Sequence, residues 1–399
     1  MRVELAGSVN TSMGQQVGTL RVLTLTPFYP SSVDDASGCF VSEPLEWLAK
    51  LGVHNTVIAS QPFYRNKPGA GGSAVRGDRL RYFSLPGGLG LPTSGAFLFA
   101  RIVHQLRNLH SVQPLDLIHA HGALPCGHAA MLISKQLNIP FVVSVHGLDA
   151  FSTIQVGGRS GEWCRRVSRL AYSASRRVIC ISEHVRDAVL GGMPQGCRTS
   201  VVYNGVDAER FSPIAAPAFV APRILSVGNL IPIKGHEYLI RAAASLVAEF
   251  PSLELDIIGD GAERARLETL AGKLHVSDKV HFLGRRSRAQ VADAMRHCTI
   301  FALPSRYEGL GCVYLEGMSC GKPVIGCQGQ GIAEIIQPGV NGCLVAPDDE
   351  KELAKVISAL LRDRVRCRDL GRVARDTILN GFTMQQQAEN LSQIYRECL

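Results

Sequence analysis

Short apolar runs recur along this chain with room for one helix between successive runs. That alternation admits little besides a parallel sheet with crossover helices. In the first half the runs are Leu20–Thr26, Val53–Ser60, Leu115–His119, Phe141–Val145, Arg177–Ile181 and Ser200–Tyr203. In the second half they are Arg223–Val227, Leu253–Ile258, Val280–Leu283, Ile300–Leu303, Pro323–Gly326 and Gly342–Val345. Tyr238, Leu239, Ala242, Leu246 and Phe250 fall at three- and four-residue spacing, the mark of an amphipathic helix, which stops at Pro251. A chain of 399 residues exceeds one ordinary core. The break falls in Arg210–Pro222 (RFSPIAAPAFVAP), rich in Pro and Ala and poor in charge. The expected fold class is therefore α/β, two doubly wound Rossmann-like domains facing each other across a cleft at the carboxyl ends of their strands. Residues 1–18 lack a hydrophobic signal core and read as a mobile leader. Residues 19–212 form the first domain and 213–380 the second. Residues 381–399 form a C-terminal helix expected to pack back toward the first domain.

Hydrophobic residues at 46% and charged residues at 19% describe a packed protein and exclude a disordered one. Aromatics at 6%, not interleaved with basic segments, argue against nucleic acid as the ligand. The net charge of +8 fits an anionic substrate or an anionic membrane surface. Twelve cysteines are scattered, mostly inside apolar runs and without a CxxC pair. They read as small core residues of a protein in a reducing compartment, with no zinc or redox motif. No apolar run approaches the roughly 20 residues needed to span a bilayer.

The chemistry concentrates in Pro304–Val324, PSRYEGLGCVYLEGMSCGKPV. Glu308 follows an apolar strand, Gly309 and Gly311 follow Glu308, and Glu316 lies on the helix beyond. A helix start presents outward N–H groups and a dipole that favours an anion. Glycines let backbone approach a phosphate or sugar, and carboxylates accept hydrogen bonds from sugar hydroxyls. Paired glutamates at helical spacing are by themselves an ordinary solvated helix face. The glycine-rich surroundings favour a ligand carrying both phosphate and polyol.

The Glu, seven residues, Glu spacing resembles the signature of the retaining glycosyltransferases of family 4, which have the GT-B fold. The resemblance implies that Glu308 contacts the donor sugar and Glu316 the ribose hydroxyls. Leu310 lies between the glycines Gly309 and Gly311 of the same donor-binding turn. Further blocks match in order over most of the second half. ILSVGNLIPIKGH (Ile224–His236) places Lys234 near a diphosphate, as a mobile point charge. Asn229 stands where family members usually carry Arg, and Arg306 is the candidate substitute cation. LDIIGDGAE (Leu255–Glu263) lacks the third glycine of a dinucleotide fingerprint. In family 4 the equivalent turn, here Gly259 and Gly261, lies under the nucleotide. In the first half the Gly38 loop and VHGLD (Val145–Asp149) match, and His146 is implied to point at the donor sugar and phosphate. His119 and His121 read as acceptor-side or structural residues.

The resemblance thus implies His146, Lys234 and Glu308 as catalytic groups and a nucleotide-sugar, UDP- or GDP-linked, as substrate rather than a cofactor. No acidic metal clamp stands in the matching place, so no metal is expected. The acceptor would be a glycan or a lipid-linked glycan in cell-surface polysaccharide synthesis, including exopolysaccharide or lipopolysaccharide. The enzyme would be cytoplasmic, with Arg165–Arg166 and Arg176–Arg177 available to an anionic membrane. Two rival readings are a GT-B nucleotide-sugar epimerase and a non-catalytic sugar-nucleotide or glycan-binding module.

Overall fold

The computed structural model describes residues 18–31, 34–64, 77–85, 90–152, 156–193, 197–214 and 221–399. Residues 1–17 of the expected leader lie outside the described residues. Strands β1 (Leu20–Thr26), β2 (Val53–Pro62), β3 (Gly77–Tyr82), β4 (Leu117–His121), β5 (Phe141–Val145), β6 (Arg177–Cys180) and β7 (Thr199–Val201) make one sheet. Strands β8 (Arg223–Val227), β9 (Glu254–Ile258), β10 (Val280–Gly284), β11 (Ile300–Ala302), β12 (Val324–Cys327) and β13 (Cys343–Val345) make the other. The first half contributes helices α1 (Cys39–Lys50), α2 (Ser94–Val112), α3 (His128–Leu137), α4 (Gly158–Ala174) and α5 (Glu183–Gly192). The second contributes α6 (His236–Leu246), α7 (Arg264–Lys273), α8 (Arg288–His297), α9 (Cys312–Ser319), α10 (Glu350–Arg362), α11 (Arg364–Gly381) and α12 (Met384–Glu397).

Strand order is β3-β2-β1-β4-β5-β6-β7 in one sheet and β10-β9-β8-β11-β12-β13 in the other. Pairing is parallel between every pair of adjacent strands. Parallel strands are covered on both faces and so tolerate little polarity. β4 and β5 are accordingly buried at every position, and β1 at all but Arg21. Sequence order reverses between β1 and β4 and again between β8 and β11, the two places where a doubly wound sheet opens a crevice. Both crevices open toward one shared cleft.

Two features differ from the expectation. The edge strand β3 has the polar sequence GDRLRY, which carries no buried-strand signature, and was not expected. The start of the Pro/Ala-rich linker is packed rather than loose. Phe211 is fully buried, and its carbonyl accepts from Ser319 Oγ at 2.7 Å.

After α11 the chain crosses back, and Val206 bridges Thr383 in parallel. Thr383 then caps α12 reciprocally with Gln386. Ala388, Leu391, Ile394 and Tyr395 of α12 join Val41, Leu45 and Leu48 of α1 in one apolar cluster under the first sheet. Leu391→Ala should therefore cost about 2–4 kcal/mol of stability. Urea unfolding checks this, and a loss under about 1 kcal/mol would show that α12 is not part of that core.

Candidate active site

The cleft between the halves has a volume of about 350 Å³, within the range of small-molecule sites. Its floor comes from the turns that follow β5, β8, β9 and β11. Lys234 leaves the turn after β8 and puts Nζ 2.6 Å from Glu308 Oε1. Ser305 Oγ donates to the same oxygen at 3.1 Å. Gln330 Oε1 accepts from the Glu308 backbone N–H at 2.9 Å, which pins the loop that carries the acid. The Glu308 carboxylate is largely buried, and this cation and hydroxyl take the place of the solvent that burial removes.

Gly311 enters α9 in the left-handed conformation (φ 83°), and no side chain caps the helix. Cys312 and Val313 at its start line the cleft beside Gly309, Leu310 and Gly311. The positive end of α9 therefore faces the ligand space. Gly309 is also where the two halves meet. A Cβ there would lie 2.6 Å from the carbonyl oxygen of His146, so only glycine permits the approach. Ser182 Oγ, from the first half, donates to the Gly309 carbonyl.

His146 lines the cleft from the opposite wall. Its Nε2 lies 3.0 Å from His121 Nδ1, and its own Nδ1 is buried without a partner. Burial lowers its pKa from 6.5 to about 3, so the ring is neutral at ordinary pH. Asp149 Oδ1 accepts from the His146 backbone N–H at 2.9 Å, and burial raises the Asp149 carboxyl to about 6.

Other expected donor-site residues are placed less directly. Asn229 and Gly259 line the cleft, whereas Gly261 packs against the Leu230 backbone. Gly38 serves the entry to α1, where a Cβ would lie 2.5 Å from the Tyr29 nitrogen. Arg306 does not face the cleft. Its Nε donates to Asp348 Oδ1 at 2.6 Å and a terminal nitrogen donates to the Tyr238 hydroxyl at 2.6 Å, on the outer side of the loop. Arg306 and Glu308 stand two apart, but the turn after β11 sends them to different sides. The additional cations on the cleft wall are Arg285 and Arg286, and Arg285 reaches Asp34 of the first half at 2.9 Å.

Glu316 sits on the buried side of α9, behind the residues that line the cleft, with its side chain 2% exposed. Its Oε1 accepts from Arg288, while Oε2 is buried and takes no hydrogen bond. Burial raises the Glu316 pKa, and Arg288 opposes that rise. Desolvation works against the Arg288 charge as well, but Glu316 and Glu43 outweigh it and hold the guanidinium above its ordinary value. Arg288 Nε donates to Glu43 Oε1 at 3.0 Å, and its backbone N–H to Asp35 Oδ1 at 3.1 Å. One guanidinium thus ties α9 to α1 across the domain boundary. The local signal was Ser287-x-x-Gln290, a capping box that fixes Arg288 at the first position of α8. Nothing local named its partners.

Residues 40–210 match the family described as Glycosyltransferase Family 4, and residues 219–377 match Glycosyl transferases group 1. An uncharacterized glycosyltransferase of Methanocaldococcus jannaschii is 31% identical over 73% of this chain and 78% of its own. The chain belongs to the family 4/group 1 glycosyltransferases. A D-inositol 3-phosphate glycosyltransferase of Catenulispora acidiphila is 29% identical over 90% of each chain. Among solved structures, sucrose-phosphate synthase from Thermosynechococcus elongatus superposes with a TM-score of 0.76 at 24% identity, covering 94% of this chain and 98% of that one. Anabaena HepE in complex with UDP superposes at 0.73 with 21% identity, covering 95% and 100%. The two facing α/β domains of this glycosyltransferase are the GT-B fold.

The Arg288 bridge makes a prediction about pH. Arg288→Met leaves Glu43 and Glu316 without their shared cation and should destabilise by about 3–5 kcal/mol near neutrality. Without Arg288 the folded-state pKa of Glu316 rises further above its ordinary 4.5. A carboxyl raised in the folded state stabilises below its unfolded pKa, and that contribution is lost as pH rises through the folded value. The deficit of the variant should therefore shrink from pH 8 to pH 5 in urea titrations. A deficit independent of pH would contradict the buried bridge.

Proposed function

We propose that this glycosyltransferase moves a sugar from a nucleoside-diphosphate-sugar donor to a glycan or lipid-linked acceptor, with retention at the anomeric carbon. The Lys234–Glu308 pair at the uncapped start of α9 carries this reading. It sets a cation and helix N–H groups where a leaving diphosphate gathers charge, and a carboxylate where sugar hydroxyls need an acceptor. The bond between the anomeric carbon and the phosphate oxygen breaks, and the acceptor oxygen bonds that carbon on the same face. The acceptor proton passes to the departing phosphate oxygen. Lys234 and the α9 dipole offset the charge left on the diphosphate, without a metal.

Glu316 Oε2 lacks a hydrogen bond, and a ribose hydroxyl is a donor that would satisfy it. Solved neighbours of this fold hold UDP and UDP-glucose, which makes uridine the base to test first. Arg285 and Arg286, rather than Arg306, are the cations this reading assigns to the phosphates beside Asn229. Contact with the inner face of an anionic membrane, and so a cytoplasmic reaction in cell-surface polysaccharide synthesis, belongs to the same reading. Its support is α4, where exposed Trp163 and Leu170 share one face with exposed Arg166. Arg177 is less available, since it reaches Glu397 at 3.4 Å. Among the described residues no helix is long and apolar enough to cross a membrane.

A thermal-shift screen against UDP- and GDP-sugars selects the donor, because binding to the folded state raises stability by mass action. NMR of the product then reads the anomeric configuration. An altered free donor with no new glycoside would indicate an epimerase, and binding without turnover a non-catalytic module. With the donor chosen, Lys234→Ala should lower turnover by about two decades. A variant that keeps most of its activity would remove Lys234 from the leaving-group site. Glu316→Ala should weaken nucleoside-diphosphate binding by about 1.5–3 kcal/mol in calorimetry. Unchanged affinity would refute a ribose contact.

A further inference from the structure

Three histidines lie side by side under the cleft wall. His119 lies in the middle of β4 and His121 at its end, and His146 follows β5. Both ring nitrogens of His119 are committed, Nδ1 to the Tyr395 hydroxyl of α12 and Nε2 to Ser144 Oγ, each at 2.7 Å. His119 therefore supports the His121 ring by contact, with centroids 4.2 Å apart, and spends no hydrogen bond on it. His121 directs Nδ1 to His146 Nε2 at 3.0 Å, with the two rings nearly parallel at 10°. Phe28 and Phe40 close on the His146 ring with centroids at 5.9 and 4.7 Å. The ring is thereby held, and Nδ1 is its one nitrogen without a hydrogen-bond partner.

Burial depresses the pKa of both His121 and His146, so the pair is neutral. Two neutral imidazoles that share one hydrogen bond have two arrangements. If His146 donates from Nε2, its Nδ1 is a bare lone pair. If His121 donates from Nδ1, the His146 proton must sit on Nδ1, because a neutral ring carries only one. The ionised phosphate oxygens of such a donor only accept hydrogen bonds, and a bare lone pair set against them would repel, whereas an N–H would be accepted.

We propose that His121 is a positioning residue that donates to His146 Nε2 and so fixes His146 as an Nδ1–H donor toward the donor substrate. The inference rests on the proposed reading of His146 as a group facing the nucleotide-sugar. His121 makes no contact with substrate in this account; it acts by choosing the tautomer of its neighbour. A second hydrogen bond that selects a histidine tautomer is a recurrent device, and the wrong tautomer is costly to turnover.

Nitrogen-15 NMR of histidine-labelled, unliganded protein tests the assignment directly. The wild type should show His146 protonated at Nδ1. His121→Asn, whose amide can donate from nearly the same place, should keep that tautomer, and His121→Phe should release it to the Nε2–H form. In parallel, release of UDP from UDP-glucose, or from whichever nucleotide-sugar the screen selects, reports function. His121→Phe should lower kcat about tenfold or more with KM within about twofold, and His121→Asn should restore kcat to within about threefold of wild type. A His146 protonated at Nε2 in the wild type overturns the proposal, as does equal activity of the Phe and Asn variants. The wild-type spectrum decides even if His121→Phe fails to fold. A wild type that turns over no donor would sink the proposed function and leave the tautomer measurement to judge this inference alone.

Discussion

Two carboxylates on one short loop-and-helix unit are buried in this protein, and each must be given a cation from elsewhere in the chain. Removing an ion from water costs several kcal/mol unless a partner and further hydrogen bonds replace the solvent. Glu308 receives Lys234 from the turn after β8, together with the Ser305 hydroxyl. Glu316 receives Arg288 from the first residue of α8. Arg288 in turn is shared with Glu43 on α1 of the other half. The requirement to neutralise one helix's acids therefore draws β8, α8, α9 and α1 to a single place, and that place borders the cleft.

The same requirement explains how the site is prepared for an anion. Lys234 is already held by Glu308, so in the proposed reading little side-chain freedom would be lost on binding a diphosphate. The uncapped start of α9 adds backbone donors aimed into the same space. On the opposite wall a neutral histidine, fixed by aromatic rings and a second histidine, keeps one nitrogen without a partner. A cation and helix N–H groups on one side, an unpartnered histidine nitrogen on the other and a carboxylate between them fit the proposed substrate, phosphate at one end and sugar at the other.

Much of this was legible in the sequence because it depended on local pattern. Buried parallel strands read as apolar runs, so the expected bounds of β1, β5 and β8 are the observed ones. Lys234 and Glu308 lie on the loops that follow β8 and β11, and loops at a sheet's switch point converge. What the sequence concealed was pairing at long range. The guanidinium of Arg288 meets Glu316 28 residues away and Glu43 245 residues away, and no local rule anticipates either contact. Arg306, the candidate substitute cation, stands two residues from Glu308, but the turn after β11 sends its side chain to Asp348 and Tyr238, and no local pattern specifies that turn's direction. Tyr395, which supports His119 from α12, and the polar edge strand β3 had no signal of their own.

The central claim is that the space above Lys234 and the start of α9 receives the donor diphosphate. A crystal structure with a bound nucleoside diphosphate tests it most directly. The account predicts the β-phosphate within hydrogen-bond distance of Lys234 Nζ and of backbone N–H groups in Gly309–Val313. A diphosphate seated beside Arg306 and Tyr238, with Lys234 still paired only to Glu308, would contradict it.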